Sequence, residues 1–202
     1  MNKNTRLAAS VVLALAIGSS IYGLIITAKN NSYTAEIQAL RNEKDAWFST
    51  NPKSPFLLKN EPFHRISYYP PDRKYYIKAS FTRNNRQDSV QLITNLGEAE
   101  RYLVYGEAQF KLEGTTCTLQ LLYLPESTDL FLPFMDATSG KTTYGSGRYL
   151  EVATPTEDEV ILDFNLAYNP YCAYVDGYSC PFPPKANILK VAIEAGEKTY
   201  HE

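Results

Sequence analysis

Histidine and cysteine are scarce in this chain, and that scarcity excludes several kinds of active site. The 202 residues include two histidines, His64 and His201, and three cysteines. A catalytic triad uses a histidine base, and neither histidine lies in a recognisable triad motif. A zinc site needs several ligands at characteristic spacings, which these residues do not supply. We therefore expect neither a metal nor a cofactor.

Clusters of basic residues are absent as well. Lys and Arg number 20 against 22 Asp and Glu, a formal net charge of −2. Arg83 and Arg86 are the nearest approach to a basic patch, so we expect no nucleic-acid partner. Residues 139–142 resemble the end of a phosphate-binding loop, but Met135 stands where that loop requires glycine.

One uncharged segment near the N-terminus predicts a membrane anchor. Residues 7–28 carry no charge and follow Lys3 and Arg6. A transmembrane helix needs about 20 apolar residues, more than the apolar region of a signal peptide contains. Basic residues stay in the cytoplasm, so the rest of the chain would lie on the extracytoplasmic side, periplasmic or outer, of a single-pass protein. Export with cleavage of a signal peptide is the alternative.

The next segment predicts a short amphipathic helix over residues 30–48. Ile37, Leu40, Lys44 and Trp47 recur at spacings of three and four, which places them on one helix face. The helix would act as a spacer between membrane and domain, or as a docking surface. The predicted division is residues 1–29, a membrane anchor or signal segment, 30–50, the connecting helix, and 51–202, a β-rich domain.

From residue 51 onward the apolar pattern has a period of two, which predicts β-strands. Many short strands separated by Pro, Gly, Asn and Asp favour a mainly β fold, a single antiparallel β-sandwich or barrel-like domain. Glu113 and Gly114 should form a two-residue hairpin between the two longest strands. The candidate strands are residues 66–69, 75–81, 89–94, 101–112, 115–124, 130–134, 147–152, 160–164 and 187–195.

The C-terminal part of the chain, residues 131–198, carries a dense series of motifs. A Leu-Pro-Phe sequence precedes Asp-x-Thr-Ser-Gly, Thr-Tyr and Gly-Arg-Tyr-Leu, and these are followed by Asp-Phe-Asn, Tyr-Asn-Pro, Cys-Ala, Cys-Pro-x-Pro-Pro and Ala-Gly-Glu-Lys. This series resembles the signature of an uncharacterised bacterial family, the domain of unknown function 1684 family. The activity of that family is not known, so the resemblance implies a family and not a reaction.

Polar residues gather in the turns of this signature. Loops on a rigid β scaffold carry ligands, and Arg148 could bind a carboxylate or phosphate. The same residues could instead brace the turns, with Arg148 and Asp163 forming an internal ion pair across a hairpin at residues 154–158. The candidate ligand-binding residues are Asp136, Thr138, Ser139, Thr143, Tyr144, Arg148, Asp163, Asn165 and Asn169.

Six tyrosines crowd the same signature, and they suit either recognition of a ligand or the core of a small β domain. We therefore favour non-catalytic binding of a small ligand or an envelope partner. One alternative is a metal-independent, hydrolase-like enzyme using Asp136, Asp163 and Arg148. Another is a structural accessory subunit of a membrane complex. The tyrosines are Tyr144, Tyr149, Tyr168, Tyr171, Tyr174 and Tyr178.

Two of the three cysteines predict a disulfide. Cys172 and Cys180 flank Asp176 and Gly177, which can reverse the chain and bring the two sulfurs together. A bridge between them would fix an irregular loop in an oxidising compartment. Free thiols and a metal site are the alternatives. Cys117 lies on the inward face of a candidate strand, so it should be a buried thiol.

The predicted anchor determines the topology of the whole chain. A reporter that is active only after export, fused after residue 202, should be active, because Lys3 and Arg6 hold the N-terminal flank in the cytoplasm. The same fusion to a chain without residues 1–29 is the control and should be inactive. A reporter that is active only in the cytoplasm would contradict the predicted location.

Overall fold

The computed structural model describes residues 3–123, 127–155 and 157–200, and it describes side chains for Ile25 and from Thr27 onward. These residues form two α-helices and seven β-strands. The helices are α1 (Lys3–Thr50) and α2 (Pro55–Lys59). The strands are β1 (Tyr76–Arg83), β2 (Ser89–Ile93), β3 (Ala99–Leu112), β4 (Thr115–Tyr123), β5 (Asp129–Phe134), β6 (Arg148–Ala153) and β7 (Glu159–Asp163).

Helix α1 is continuous from Lys3 to Thr50, so the predicted connecting helix is its C-terminal part. Its buried side chains are Tyr33, Ile37, Arg41 and Phe48, which recur at intervals of four and seven along one face. The amphipathic pattern is therefore confirmed, but the face is rotated from the predicted one. Leu40, which the spacing placed on the same face as Ile37, is 44% exposed.

The predicted membrane anchor falls largely outside the described side chains. Among the residues that are described, no helix is long and apolar enough to cross a membrane. The anchor, and the division of the chain at residues 29 and 50, stay predictions from the sequence.

The strands form one antiparallel sheet that nearly closes into a barrel. The order is β6-β5-β4-β3-β1-β7, with β2 pairing beside β3. Strands β6 and β7, at the two ends of this order, also lie against each other. The mainly β, barrel-like prediction is thus confirmed. The hairpin prediction is confirmed too, since Glu113 and Gly114 both have positive φ and join Leu112 to Thr115 in register.

Seven of the nine predicted strands are present, and residues 66–69 and 187–195 are not strands. Residues 66–69 make one isolated bridge, from Tyr68 to Glu197. Residues 187–195 alternate between buried and more exposed side chains as predicted. Their backbone, however, bonds to the loop after β5 and to side chains. Met135 N–H donates to the Asn187 carbonyl, and Ala137 N–H donates to the Val191 carbonyl.

The pairing of β1 with β3 leaves no room for a side chain at Gly106. A Cβ atom there would lie 2.5 Å from the Phe81 ring and 2.5 Å from the Thr82 carbonyl oxygen. We expect Gly106→Ala to lower the free energy of unfolding by about 1–3 kcal/mol, the usual cost of overpacking. Gly145→Ala is the control, because its nearest neighbour, a Gly140 Cα, lies 3.6 Å away.

Urea unfolding followed by circular dichroism measures both variants. The control should stay within about 0.5 kcal/mol of the wild type, as surface substitutions usually do. Equal stability of Gly106→Ala and Gly145→Ala would contradict the close approach of β1 and β3.

Candidate functional site

The first polar cluster of the signature is built around the buried guanidinium of Arg148. Its Nη2 donates to the Asp136 Oδ2 at 2.9 Å and to the Ile193 carbonyl at 2.9 Å. Its Nη1 donates to the carbonyls of Glu197, at 3.1 Å, and Ala195. The side chains of Arg148 and Asp136 are both 0% exposed. The guanidinium thus joins the start of β6 to the C-terminal segment.

The turn that follows β5 is braced by the same carboxylate. Asp136 Oδ1 accepts hydrogen bonds from the N–H and hydroxyl of Thr138, at 2.8 and 2.6 Å, and from Ile193 N–H at 3.1 Å. The Thr138 hydroxyl also lies 2.8 Å from that of Thr143, and the Ser139 hydroxyl accepts from Asp136 N–H at 3.1 Å. Local side-chain-to-backbone bonds of this kind fix a turn.

A second cluster joins Asp163 and Asn165 to helix α1. The Tyr33 hydroxyl lies 2.8 Å from both carboxylate oxygens of Asp163, and burial raises the pKa of Tyr33. Asn165 Nδ2 donates to Asp163 Oδ1 at 3.0 Å and to the Asp72 carbonyl at 2.9 Å. Arg41 Nη2 donates to the Asn165 carbonyl at 3.2 Å.

The predicted ion pair between Arg148 and Asp163 is therefore wrong. Arg148 has Asp136 as its carboxylate partner, and Asp163 bonds to Tyr33 instead. The physical reason is the strand order: β6 pairs with β5 and β7 pairs with β1, so residues 154–158 do not connect a hairpin.

A third cluster surrounds the buried carboxylate of Glu197. Its Oε1 forms an ion pair with Lys44 Nζ on α1 at 2.7 Å. Its Oε2 accepts from Asn169 N–H at 2.8 Å and from the Tyr174 hydroxyl. Asn169 Nδ2 donates to the Lys198 carbonyl at 2.8 Å. This cluster attaches the helix to the C-terminal segment.

Apart from Tyr144, which lies near Cys172, the signature polar residues thus occupy three internal clusters rather than one open site. The structure buries Asp136, Thr138, Thr143, Arg148, Asn165 and Asn169, whereas Ser139, Tyr144 and Asp163 are partly exposed. A ligand role for these residues stays a prediction. Their observed contacts are those of braces that hold the surrounding segments in place.

A groove of about 630 Å³ lies between α1 and residues 168–181, which follow β7 and are called here the tyrosine-rich segment. Leu40, Glu43, Lys44 and Trp47 line it from the helix, and their spacing of three and four puts them on one side of α1. From β6 and the segment after β7 it is lined by Tyr149, Glu151, Tyr168, Pro170, Tyr171, Tyr178, Ser179, Cys180 and Pro181, with Phe48 at the helix junction.

The charges in this aromatic groove do not cancel. The Lys44 ammonium lies 4.7 Å from the Tyr168 ring centroid, and Glu197 already neutralises it. Glu151 accepts a hydrogen bond from the Tyr168 hydroxyl at 3.3 Å. The pKa of Tyr168 is raised mainly by burial and, to a smaller extent, by this carboxylate. Glu43 has no ion-pair partner within the described residues. Two carboxylates therefore leave the groove with net negative charge.

The comparisons with known proteins agree with the signature. A family model described as "Protein of unknown function (DUF1684)" matches residues 61–198. The chain belongs to this family. It is also similar to the solution NMR structure of an uncharacterised protein from Haloarcula marismortui, with 38% identity and a TM-score of 0.64. That similarity covers 85% of this chain and 96% of the other. No curated protein matched the chain.

The family match contains only part of the groove of this DUF1684 protein, nine of its fourteen lining residues. Its tyrosine-rich wall lies within residues 61–198, whereas its helical wall, residues 40–48, precedes them. Sequence reasoning singled out Tyr149, Tyr168, Tyr171 and Tyr178, all of which line the groove. Glu43 was not recognised from the sequence as a lining residue, and the helix over residues 30–48 was interpreted as a spacer or a docking surface. The spacing of Lys44 and Trp47 was the available signal.

Cys172 and Cys180 are both free thiols in this structure, and a disulfide between them stays a prediction from the sequence. The expected chain reversal is present, with Gly177 at φ 87°, and it does bring the two residues together. Cys172 N–H donates to Cys180 Sγ at 3.3 Å. The buried-thiol prediction for Cys117 is confirmed at 4% exposure. Within the described residues, no three His, Cys, Asp or Glu side chains converge as metal ligands would.

The contacts of Arg148 generate a test of its structural role. We expect Arg148→Ala to lower the free energy of unfolding by about 3–5 kcal/mol, because it leaves the Asp136 carboxylate buried without its cation. Arg86→Ala is the matched control, since the Arg86 side chain is 86% exposed. It should change stability by less than about 0.5 kcal/mol.

Chemical unfolding measures the stability of both variants. The same measurement on Asp136→Ala and on the Arg148→Ala/Asp136→Ala double mutant gives the coupling energy between the two side chains. The double mutant should lose less than the sum of the single losses, because neither charge is then left alone. A stable Arg148→Ala protein would contradict the structural role and would favour a ligand role for this residue.

Proposed function

We propose that this protein binds a small organic cation in the groove between α1 and the tyrosine-rich segment, without catalysing a reaction. The observation that carries the proposal is the lining of the groove, in which six aromatic side chains accompany two carboxylates. A volume of about 630 Å³ falls in the range of small-molecule sites, roughly 300–1,000 Å³.

The charge of the groove favours a cation over a neutral or anionic ligand. Aromatic ring faces attract cations, by about 0.5–2 kcal/mol for each good contact. Lys44 shows this preference internally, because its ammonium lies 4.7 Å from the Tyr168 ring centroid and 5.3 Å from that of Phe48. Glu43 and Glu151 add negative charge, and the one lysine of the lining is already paired with Glu197.

The aromatic side chains are held in place before any ligand arrives. The Tyr149 hydroxyl donates to the Pro181 carbonyl at 2.7 Å, and the Tyr149 and Tyr168 rings meet edge to face at 5.9 Å. Tyr171 and Tyr178 make a similar contact at 5.4 Å. Such preorganisation reduces the entropy lost on binding. It supports a binding site that is formed in the unliganded protein.

The alternative enzyme has less support from the contacts. Asp136 and Arg148 are buried and bonded to each other, whereas Asp163 bonds to Tyr33 on α1. A carboxylate pair for hydrolysis has to face a common substrate. The membrane-anchored, extracytoplasmic location and the role of accessory subunit stay predictions from the sequence, and the proposed ligand binding does not depend on them.

The single tryptophan of the chain, Trp47, lines the groove and reports its occupancy. We expect choline to change Trp47 fluorescence and to bind about tenfold more tightly than dimethylbutanol, its neutral carbon isostere, because only choline carries the charge. Tyr171→Ala and Glu43→Gln should each weaken choline binding severalfold. Fluorescence titration of the full-length protein measures these affinities.

Two matched controls separate the groove from the rest of the surface. Tyr123→Ala removes a tyrosine that is 43% exposed on β4, and Glu36→Gln removes an exposed carboxylate two turns earlier on α1. Both should bind choline as the wild type does. Equal binding of choline and its isostere would contradict the cationic class. No response to choline, to the isostere or to glucose would contradict binding in the groove.

A further inference from the structure

The two thiols of the segment 171–181 are arranged as an unequal pair. Cys180 Sγ accepts a hydrogen bond from the backbone N–H of Cys172 at 3.3 Å. The side chains of Cys172 and Cys180 also lie within hydrogen-bonding reach of each other. The Tyr144 hydroxyl lies 4.0 Å from Cys172 Sγ. The backbone therefore supplies a donor to the sulfur of Cys180.

This arrangement favours a thiolate at Cys180. Hydrogen bonds to the charged form of a group stabilise that form. The hydrogen bond with Cys172 lowers the pKa of Cys180 despite burial, and the same contact raises the pKa of Cys172. The thiolate, not the thiol, is the nucleophile in sulfur chemistry. Cys180 is thus the attacking sulfur of the pair and Cys172 is its protonated neighbour.

The two cysteines also face different openings. Cys180 is 6% exposed but lines the aromatic groove. Cys172 lines a second cleft of about 440 Å³, together with Lys59 and Asp176. A small molecule in the groove therefore meets the side of the pair that carries Cys180, whereas Cys172 is approached from the second cleft.

We propose that Cys180 and Cys172 form a redox-active dithiol that exchanges with small-molecule disulfides entering through the groove. The Cys180 thiolate attacks one sulfur of the incoming disulfide, whose S–S bond breaks, and the leaving sulfur departs with the electron pair and takes a proton from water. Cys172 then attacks Cys180 Sγ, the mixed S–S bond breaks, and the proton of Cys172 passes to the departing sulfur, which leaves as the second thiol. The protein dithiol loses two electrons, and the incoming disulfide gains them.

The exchange goes beyond the proposed ligand binding and does not depend on it. Because the thiols are already in contact, the bridge needs little movement of the segment 172–180. Residues of that segment line the groove. Oxidation would therefore cross-link two positions of one groove wall, and the lining residues would stay the same.

Full-length protein treated with oxidised glutathione tests the exchange by mass spectrometry. The wild type should lose two hydrogen atoms and retain no adduct, with the bridge mapping to Cys172 and Cys180. Cys172→Ser should stop at a glutathione adduct on Cys180, because the resolving thiol is gone. Cys180→Ser should react at least about tenfold more slowly, since it removes the thiol that lines the groove. Cys117→Ala is the control and should behave as the wild type does.

A measurement on the wild type keeps the test independent of whether the variants fold. Iodoacetamide should label Cys180 about tenfold faster than Cys172 in native protein, and prior oxidation should block both. Equal labelling rates, or thiols that persist at equilibrium with excess oxidised glutathione, would overturn the proposal. A bridge or adduct that forms mainly at Cys117 would overturn it as well.

Discussion

The attachment of the C-terminal segment to the barrel depends on the buried guanidinium of Arg148. Residues 187–197 lie beside the sheet but form no strand of their own. The carbonyls of Ile193, Ala195 and Glu197 need donors, and Arg148 supplies them from a single fork-shaped group. Asp136 balances the charge that this arrangement buries. Without the carboxylate, the desolvation of the arginine would be too costly to sustain.

The position of α1 follows from that contact. Once residues 193–197 are held against β6, the Glu197 carboxylate lies where it can bind Lys44 of the helix at 2.7 Å. The helix is attached a second time through Tyr33 and Arg41, which bond to the Asp163 and Asn165 region. These attachments leave one side of α1 uncovered, and the tyrosine-rich segment faces it across the groove. The signature polar residues therefore lie next to the groove rather than inside it.

The groove and the thiol pair share one wall. Tyr171, Tyr178 and Cys180 all belong to the segment that doubles back at Gly177, whose φ of 87° suits glycine. The edge-to-face contact of Tyr171 with Tyr178 depends on this segment keeping one conformation. The hydrogen bond from the Cys172 N–H to Cys180 Sγ depends on it as well. A short irregular loop can keep one conformation because its polar groups are bonded: the Pro181 carbonyl accepts from the Tyr149 hydroxyl, and Cys180 Sγ accepts from the Cys172 N–H.

The sequence by itself determined the features that depend on near neighbours. The period of two predicted most of the strands, Glu113 and Gly114 predicted the hairpin, and the alternation around Cys117 predicted a core thiol. Tertiary structure alone decided the partners of distant groups. Arg148 pairs with Asp136 rather than Asp163, and residues 187–195 alternate in burial without forming a strand. The physical reason is that turn chemistry and periodicity act within a few residues, whereas strand order and burial decide which far segments and charges meet.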